Sequence, residues 1–189
     1  MDNEKLNILR LLIEHQQEPL SIRQIALQRD INYKSAYQSI QKLQNENVVD
    51  VKKYGNSSLC SFNKNFNESV FLAEYHRKQE LLTNKNFKVL YNRIKTLNLQ
   101  FILLLFGSHA KKTQNKHSDI DLLLIGDQKE KIAEQIRLLP LPIHLTQISY
   151  ADFQIMLKSR EFTVVSEAIK RNIILYGIED YYRMINNAQ

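Results

Sequence analysis

The chain is 189 residues long, somewhat more than the roughly 150 residues of one average domain, so one large domain or two small ones are possible. Apolar residues make up 43% and charged residues 24%, and only four glycines and three prolines occur, which excludes a disordered, collagen-like or linker-like chain. The formal net charge of +6 allows a polyanionic partner without requiring one.

The cysteine content and the apolar runs indicate the compartment. The single cysteine, Cys60, cannot form an internal disulfide, which excludes a secreted disulfide scaffold and is typical of a protein of the reducing cytosol. Residues 1–5 lack the apolar region of a signal peptide. The longest apolar run, 101–106, is far shorter than the roughly 18 residues of a membrane span. We therefore expect a cytoplasmic protein with no membrane partner.

The basic charge is spread unevenly along the chain. Residues 1–65 carry a net charge of +2, residues 66–98 carry +3 and residues 99–189 carry +1. No segment is a basic tail, so any contact with nucleic acid would depend on where individual side chains are placed rather than on bulk charge.

Three helices and a hairpin are predicted in the first third of the chain. Apolar residues at helical spacing predict a first helix over about 4–16. Ser21 followed by Gln24 has the spacing of a capping box and predicts a second short helix. A third helix is expected from Tyr33, and two extended segments joined by a turn are expected within 48–62.

This order of helix, helix, turn, helix and hairpin resembles the winged helix-turn-helix fold and implies such a domain over residues 1–65. The resemblance implies double-stranded DNA as a partner, contacted by a polar stripe on the third helix and by lysines of the hairpin. These candidate DNA-binding residues are Lys34, Ser35, Gln38, Lys42, Lys52 and Lys53. The alternative is a solvated face on a protein-docking module.

Helical and then mixed patterns follow. Residues 67–97 have a helical pattern twice, so we expect a helical linker over 66–85 and a second domain over 86–189. In that domain we expect strands at 99–106, 119–125, 143–149 and 173–176, helices near 127–139, 150–159 and 161–171, and a last turn at 179–186. Strands alternating with helices indicate an α/β sheet domain, and the whole chain is expected to be an α+β protein.

The residues suited to chemistry lie between the first two strands of the second domain. Gly107 and Ser108 follow the first strand, and after ten residues Asp119 and Asp121 open the second. At positions i and i+2 of a strand, two carboxylates share one face and repel each other unless a cation lies between them. Mg²⁺ binds carboxylate oxygens together with phosphate oxygens and water. Gly107 lets a ligand approach the backbone, and Ser108 offers a hydroxyl and an N–H to phosphate oxygens.

Gly-Ser, ten residues and Asp-x-Asp resemble the signature of the polymerase-β-like nucleotidyltransferases, in particular the minimal nucleotidyltransferases, and residues 166–177 resemble the end of that domain. The resemblance covers about residues 86–183. It implies a C-terminal nucleotidyltransferase domain that transfers a nucleoside monophosphate, AMP from ATP, to a hydroxyl acceptor. By the same resemblance, Asp119 and Asp121 would hold Mg²⁺, and Gly107 and Ser108 would bind the phosphates of the nucleoside triphosphate.

The motif departs from the family pattern at two places. The family often has a basic residue followed by glycine in the loop, whereas this chain has Lys111 and Lys112, which could both contact phosphates as point charges. The third carboxylate of the family is absent from the next strand, and His144 stands about where it is expected. His144 could act as the general base or ligate metal. It is otherwise an ordinary strand histidine, in a site that binds nucleotide without turnover or is purely structural.

Two classes of function therefore remain open. Minimal nucleotidyltransferases paired with HEPN toxins act as antitoxins by adenylylating the toxin, and the resemblance to them implies a HEPN-type toxin as a partner protein. The alternative is a DNA-binding transcriptional regulator whose nucleotidyltransferase-like domain is catalytically degenerate. One antitoxin that modifies a toxin and represses its own operon would combine both.

Overall fold

The computed structural model describes residues 3–158 and 163–188 as a mixed structure of helices and two sheets, which confirms the predicted α+β class. The chain divides into two compact units, residues 1–75 and 76–189. The elements up to this division are α1 (Asn3–Glu14), β1 (Leu20–Ser21), α2 (Ile22–Arg29), α3 (Tyr33–Asn45), β2 (Val49–Tyr54), β3 (Ser57–Phe62) and α4 (Glu68–Leu81), the last of which contains the division.

Local hydrogen bonds set the starts of the helices in the first unit. The predicted capping box is present: Ser21 Oγ accepts from the Gln24 N–H at 3.2 Å, and Gln24 Oε1 accepts from the Ser21 N–H at 2.8 Å. Asn32 begins α3 by accepting a hydrogen bond from the Ser35 N–H at 2.8 Å. The three helices pack beside an antiparallel sheet of order β1-β3-β2. β1 has two residues, too few for a pattern in the sequence to predict it.

Cys60 lies in the core of this unit, fully buried on β3. Burial raises the pKa of its thiol to about 11, so at pH 8 almost none of it is the reactive thiolate. We expect a thiol reagent such as Ellman's reagent to modify the folded protein about 100-fold more slowly than the chain unfolded in denaturant. Equal rates in the two states would contradict this burial.

A buried polar cluster joins the start of α1 to the end of α3 and the start of α4. Lys5 Nζ forms an ion pair with Glu46 Oε1 and donates to Ser69 Oγ at 3.2 Å, and Ser69 Oγ donates to Glu46 Oε2 at 2.6 Å. Burial alone would raise the pKa of Glu46. The hydrogen bonds from Lys5 and Ser69 and the charge of Lys5 outweigh burial, so the pKa is lowered.

The lowered pKa of Glu46 gives a pH-dependent prediction. Because the folded pKa lies below the unfolded one, this carboxylate stabilises the unit above the ordinary glutamate pKa of about 4.3, and the contribution is lost as pH falls through the folded value. We expect Glu46→Gln to lower the free energy of unfolding by about 2 kcal/mol at pH 7, and the difference from wild type to shrink below pH 4. Urea unfolding across pH, with the exposed Glu18→Gln as the control, measures it. A pH-independent difference would contradict the assignment.

The second unit is built on a four-stranded mixed sheet. Its remaining elements are α5 (Lys85–Lys95), β4 (Ile102–Phe106), α6 (Gly107–Lys111), β5 (Ile120–Ile125), α7 (Lys129–Arg137), β6 (Ile143–Ile148), α8 (Tyr150–Lys158), α9 (Val164–Lys170), β7 (Ile173–Tyr176) and α10 (Ile178–Asn187). The strand order is β6-β5-β4-β7. β4 runs antiparallel to β5 and β7, and β5 runs parallel to β6 through the crossover helix α7.

Three of the predicted elements differ in detail. The first strand begins at Ile102 rather than Leu99, the segment after it opens with the five-residue helix α6 rather than with a loop, and the last turn is the helix α10. The ends of the helices predicted over 150–159 and 161–171 reach residues 159, 161 and 162, which lie outside the described residues.

Apolar side chains of β4 and β5 cover both faces of the sheet. Every residue of β4, and every residue of β5 except Asp121, is buried. On one face, α5 and α7 complete a core that contains Phe87, Leu90, Ile132 and Leu122. On the other face, α9 and α10 contact β4. Across the described ranges, no helix combines the length and apolar character that crossing a membrane requires.

A buried polar network fixes the start of β7. Arg77 on α4 donates from Nη2 to the Asn172 carbonyl at 2.6 Å. The Asn172 side chain donates to the Ala168 carbonyl at 2.6 Å and to Tyr181 Oη at 3.1 Å. The network therefore joins α4, α9 and α10 to β7. This strand pairs with β4, and the C-terminal end of β4 carries the candidate site.

Candidate functional site

The turn after β4 lies directly against Asp121. Phe106, the last residue of β4, pairs with Asp121 of β5, and the chain then enters α6 at Gly107. Gly107 has a φ of +68°, and a Cβ built there would lie 2.2 Å from Asp121 Oδ2. Only glycine leaves room for this carboxylate beside the backbone, so Gly107 and Asp121 form one closely packed corner of the domain.

The two aspartates lie at the start of β5. Asp119 immediately precedes the strand and is exposed, whereas 30% of the Asp121 side chain is exposed. Ile120 and Leu122 point the other way, into the core. The buried neighbours therefore anchor this end of β5, while both carboxylates remain accessible to solvent.

His144 is the neighbour of Asp121 on the other side. The parallel register pairs Asp121 with His144, and His144 Nδ1 lies 3.8 Å from Asp121 Oδ1. This distance is too long for a hydrogen bond, and 70% of the imidazole side chain is exposed. Three of the predicted residues thus form a row at one end of the sheet: Gly107 after β4, Asp121 on β5 and His144 on β6.

The donor set can be compared with the needs of Mg²⁺. Among the described residues, no group of three or more His, Cys, Asp or Glu side chains gathers as a metal cluster. Mg²⁺ in phosphoryl-transfer sites is commonly bound by one or two carboxylates, with substrate phosphates and water completing the octahedron. Asp119 and Asp121 supply that number of hard oxygen ligands beside the turn at Gly107, so the residues present fit a Mg²⁺–nucleotide complex.

The two lysines at the end of α6 form ion pairs with glutamates. Lys111 Nζ lies 3.3 Å from Glu167 Oε2, and Lys112 Nζ lies 3.3 Å from Glu80 Oε1. Both pairs are substantially exposed to solvent, so each contributes little stability and can exchange for another anion. Lys112 also has a φ of +58° as the C-cap of α6. This left-handed conformation favours glycine, the residue that the family often has after the basic position.

His109 on α6 contacts both α5 and the end of the segment that leads into β5. Its ring packs edge-on against Phe87, with centroids 5.5 Å apart, and Nε2 lies 3.4 Å from the Ser118 carbonyl. The residue therefore holds the entry to β5 close to α6. No local pattern in the sequence marks His109, because one of its partners, Phe87, is distant in the sequence and the other, Ser118, lies in an irregular segment.

The candidate DNA-binding residues all lie in the first unit. Lys34, Gln38 and Lys42 are exposed on α3, and Ser35 is half-buried beside them. Lys52 and Lys53 are exposed on β2. Ser35, Gln38 and Lys42 also line a shallow pocket of about 300 Å³ together with Glu4, Ile31 and Ser39.

Two exposed tyrosines on α3 extend this face and were not predicted. Tyr33 is 56% and Tyr37 43% exposed, and their rings stack with centroids 6.4 Å apart. Gln41 Nε2 donates to Tyr37 Oη at 2.9 Å. The spacing of four residues between the two tyrosines could have revealed the pair, but aromatic residues at helical spacing are also typical of a core.

Two solved structures resemble parts of the chain. A mutant of Lactococcus lactis ZitR is 20% identical over 50% of this chain and 71% of that chain, with a TM-score of 0.33. A crystal structure of a toxin-antitoxin with AMP-PNP is 18% identical over 52% of this chain and 82% of that chain, with a TM-score of 0.34. Both TM-scores are low, so neither likeness bears on the fold or the function of this chain. No curated protein matches it.

The family comparison covers the segment that carries the site. The family model described as "Polymerase beta, Nucleotidyltransferase" matches residues 88–181, which include β4, β5, β6 and all of the row from Gly107 to His144. Domains of this family generally use a nucleoside triphosphate and a divalent metal. The C-terminal domain expected from the Gly-Ser and Asp-x-Asp spacing is thereby confirmed, and residues 88–181 of this chain form a polymerase beta nucleotidyltransferase domain.

Proposed function

We propose that the protein transfers a nucleoside monophosphate, AMP from ATP, to a hydroxyl group of a partner protein. The observation that carries the proposal is the close packing of Gly107 against Asp121, which puts a carboxylate directly beside the backbone turn at the end of β4. The family match at 88–181 supports nucleotidyl transfer as the reaction class.

Each residue predicted for the site has a proposed role in this reaction. Asp119 and Asp121 hold Mg²⁺, which when bound neutralises phosphate charge and polarises the reacting phosphate. Gly107 and Ser108 bind the phosphates, and Lys111 and Lys112 contact them by exchanging their exposed glutamate partners. These contacts orient the α-phosphate for attack, and such positioning supplies much of the rate in this chemistry.

The proposed step is a displacement at the α-phosphorus. The acceptor oxygen bonds to this phosphorus, the bond to the oxygen that bridges to the β-phosphate breaks, and pyrophosphate leaves with that oxygen. The imidazole of His144 takes the proton of the acceptor hydroxyl, the role that the resemblance gives to the missing third carboxylate. His144 suits this role because its ring is exposed beside Asp121 and open to an incoming acceptor.

Label transfer tests the proposal. The protein, Mg²⁺ and ATP labelled at the α-phosphate are incubated with proteins encoded beside its gene, a HEPN-type toxin first among them. We expect the label on the partner, and its loss in the variant that carries Asp119→Asn and Asp121→Asn. Asp127→Asn, an exposed carboxylate just beyond the far end of β5, is the matched control. Transfer that survives the double substitution would refute the site.

DNA binding by the first unit is the second candidate function. We propose residues 1–65 as a winged helix-turn-helix domain, 66–85 as a helical linker and 86–189 as the catalytic domain. The observation that favours DNA is that α3 has no acidic residue among its 13 and exposes Lys34, Gln38 and Lys42. A gel shift on the DNA upstream of the gene should weaken, with a smaller salt dependence, in Lys34→Ala plus Lys42→Ala. Lys85→Ala plus Lys88→Ala removes the same charge and should leave binding unchanged.

A further inference from the structure

The strand β6 is an open edge of the sheet beside the candidate site. Among the described residues it pairs with β5 alone, and none of its six residues is buried, whereas all five residues of β4 are. Its register with β5 is regular from Ile143 to Ile148, without a bulge. The strand contains no Lys, Arg, Asp or Glu, the charged residues that commonly block exposed edges. β6 is therefore able to pair with another strand.

The hydrogen bonds to β5 identify the backbone groups at that open edge. The Pro142 carbonyl accepts from the Ile120 N–H at 2.8 Å, and the Ile148 carbonyl accepts from the Gly126 N–H at 3.0 Å, so the even-numbered residues face β5. Backbone groups alternate along a strand, and the N–H and C=O of Ile143, Leu145 and Gln147 therefore point outward. Within the described part of the chain, no hydrogen bond reaches these outward groups.

The open edge continues the row of the candidate site. Phe106 pairs with Asp121 and Asp121 with His144, so the row runs from the Gly107 turn across β5 to β6 and ends at the edge. A strand added to β6 would lie about 4.8 Å beyond it and would place one side chain beside His144, on the face of Asp121. The nucleotide and this side chain would then approach Asp121 from opposite sides.

Resting on the proposed nucleotidyl transfer, we propose that the protein acceptor docks as an extended peptide that adds a strand to β6. Its Ser, Thr or Tyr hydroxyl lies opposite His144, and specificity comes from the register of backbone pairing together with the side chains at alternate positions. Three outward residues offer only a few backbone hydrogen bonds, a contact suited to a substrate that must leave. The area of this contact is small beside the roughly 1,200 Å² that a stable interface between two folded copies buries.

Hydrogen exchange and label transfer with a model peptide test this docking. The probe is Thr-Val-Thr-Tyr-Thr-Val-Thr with blocked ends, and the control is the same peptide N-methylated at its three central residues, which keeps every side chain and blocks both edges. We expect the probe to slow exchange of the amides of Ile143, Leu145 and Gln147 and to receive AMP on its tyrosine. With the methylated peptide, the protection of these amides and the labelling of tyrosine should each be lower than with the probe by about tenfold or more.

Two variants of one residue repeat the test from the protein side. The Gln147 side chain donates to the Gly126 carbonyl at 2.7 Å, so Gln147→Ala loses this bond but keeps the outward N–H. Gln147→Pro loses both, and proline is tolerated at an edge where the N–H faces outward. We expect Gln147→Ala to retain peptide protection and Gln147→Pro to lose it about tenfold, with both variants still giving a cooperative thermal transition. If Gln147→Pro fails to fold, the peptide pair still decides.

The outcomes separate docking from chemistry. Protection without labelling supports docking and refutes the proposed transfer, whereas equal labelling of both peptides supports transfer and refutes docking. If the probe peptide gives neither protection nor labelling, both docking and transfer are refuted. In a further outcome, the outward amides are already protected in a dimer and AMP is found on Thr146 of the protein itself. A second copy of the protein would then occupy β6, and the peptide proposal would be overturned.

Discussion

Gly107→Ala is expected to lower nucleotidyl transfer about 100-fold. The added methyl carbon would lie 2.2 Å from Asp121 Oδ2 and 3.1 Å from its Cγ, so the carboxylate must rotate away from the position it holds beside the turn. A displacement of about 1 Å in such a site costs on the order of 100-fold in rate, because the reacting groups no longer align. Steady-state transfer of AMP to the partner protein measures the effect.

Gly55→Ala is the matched control for this substitution. Gly55 also has a positive φ, +55°, but a Cβ there meets no atom within 4 Å. Both variants incur the cost of a left-handed alanine, about 1 kcal/mol, and only Gly107→Ala displaces a carboxylate. Full transfer activity in Gly107→Ala would show that the position of Asp121 beside the turn is irrelevant to the reaction.

Gly177→Ala is expected to destabilise the second unit by about 3 kcal/mol or more. Gly177 joins β7 to α10 with a φ of +80°, and a Cβ there would lie 2.7 Å from the Phe101 carbonyl oxygen and 3.2 Å from Ile102 Cα. These atoms belong to the backbone at the start of β4 and cannot rotate away. The clash therefore separates β4 from the β7–α10 junction.

Denaturant unfolding followed by circular dichroism measures this loss. Gly55→Ala again serves as the control, with an expected change of about 1 kcal/mol from the left-handed backbone alone. If Gly177→Ala unfolds at the same denaturant concentration as Gly55→Ala, the close packing of Gly177 on β4 is wrong.

Features that depend on neighbours in the sequence could be predicted. The capping box of Ser21 and Gln24, the buried strands β4 and β5, and the place of Asp121 at the start of β5 each follow from spacing over a few residues. Periodicity and capping act locally, so the sequence records them directly.

Features that depend on distant partners could not be predicted. β1 exists only because Leu20 and Ser21 pair with β3, about 40 residues later in the chain. The ion pair of Lys111 with Glu167 joins residues 56 positions apart, and no local pattern indicates it. The short helix α6 cannot be recognised from the sequence, because its five residues carry too little periodicity.

The candidate site shows the same division. The aspartates and the Gly-Ser turn were recognisable from their spacing, but the contact of Gly107 with Asp121 required the antiparallel register of β4 and β5. The replacement of the third carboxylate by His144 was visible in the sequence. Its 3.8 Å separation from Asp121, and its place at an open sheet edge, depend on the parallel pairing of β6.

Binding of a non-hydrolysable nucleotide tests the central claim most directly, since it needs no acceptor. Calorimetric titration with α,β-methylene-ATP in Mg²⁺ should show one site in the wild type and in the control Asp127→Asn. We predict at least about tenfold weaker binding for Asp121→Asn, and loss of binding when EDTA removes the metal. Equal affinity in the wild type and Asp121→Asn, or no binding to the wild type, would contradict a Mg²⁺–nucleotide site at the Gly107–Asp121 corner.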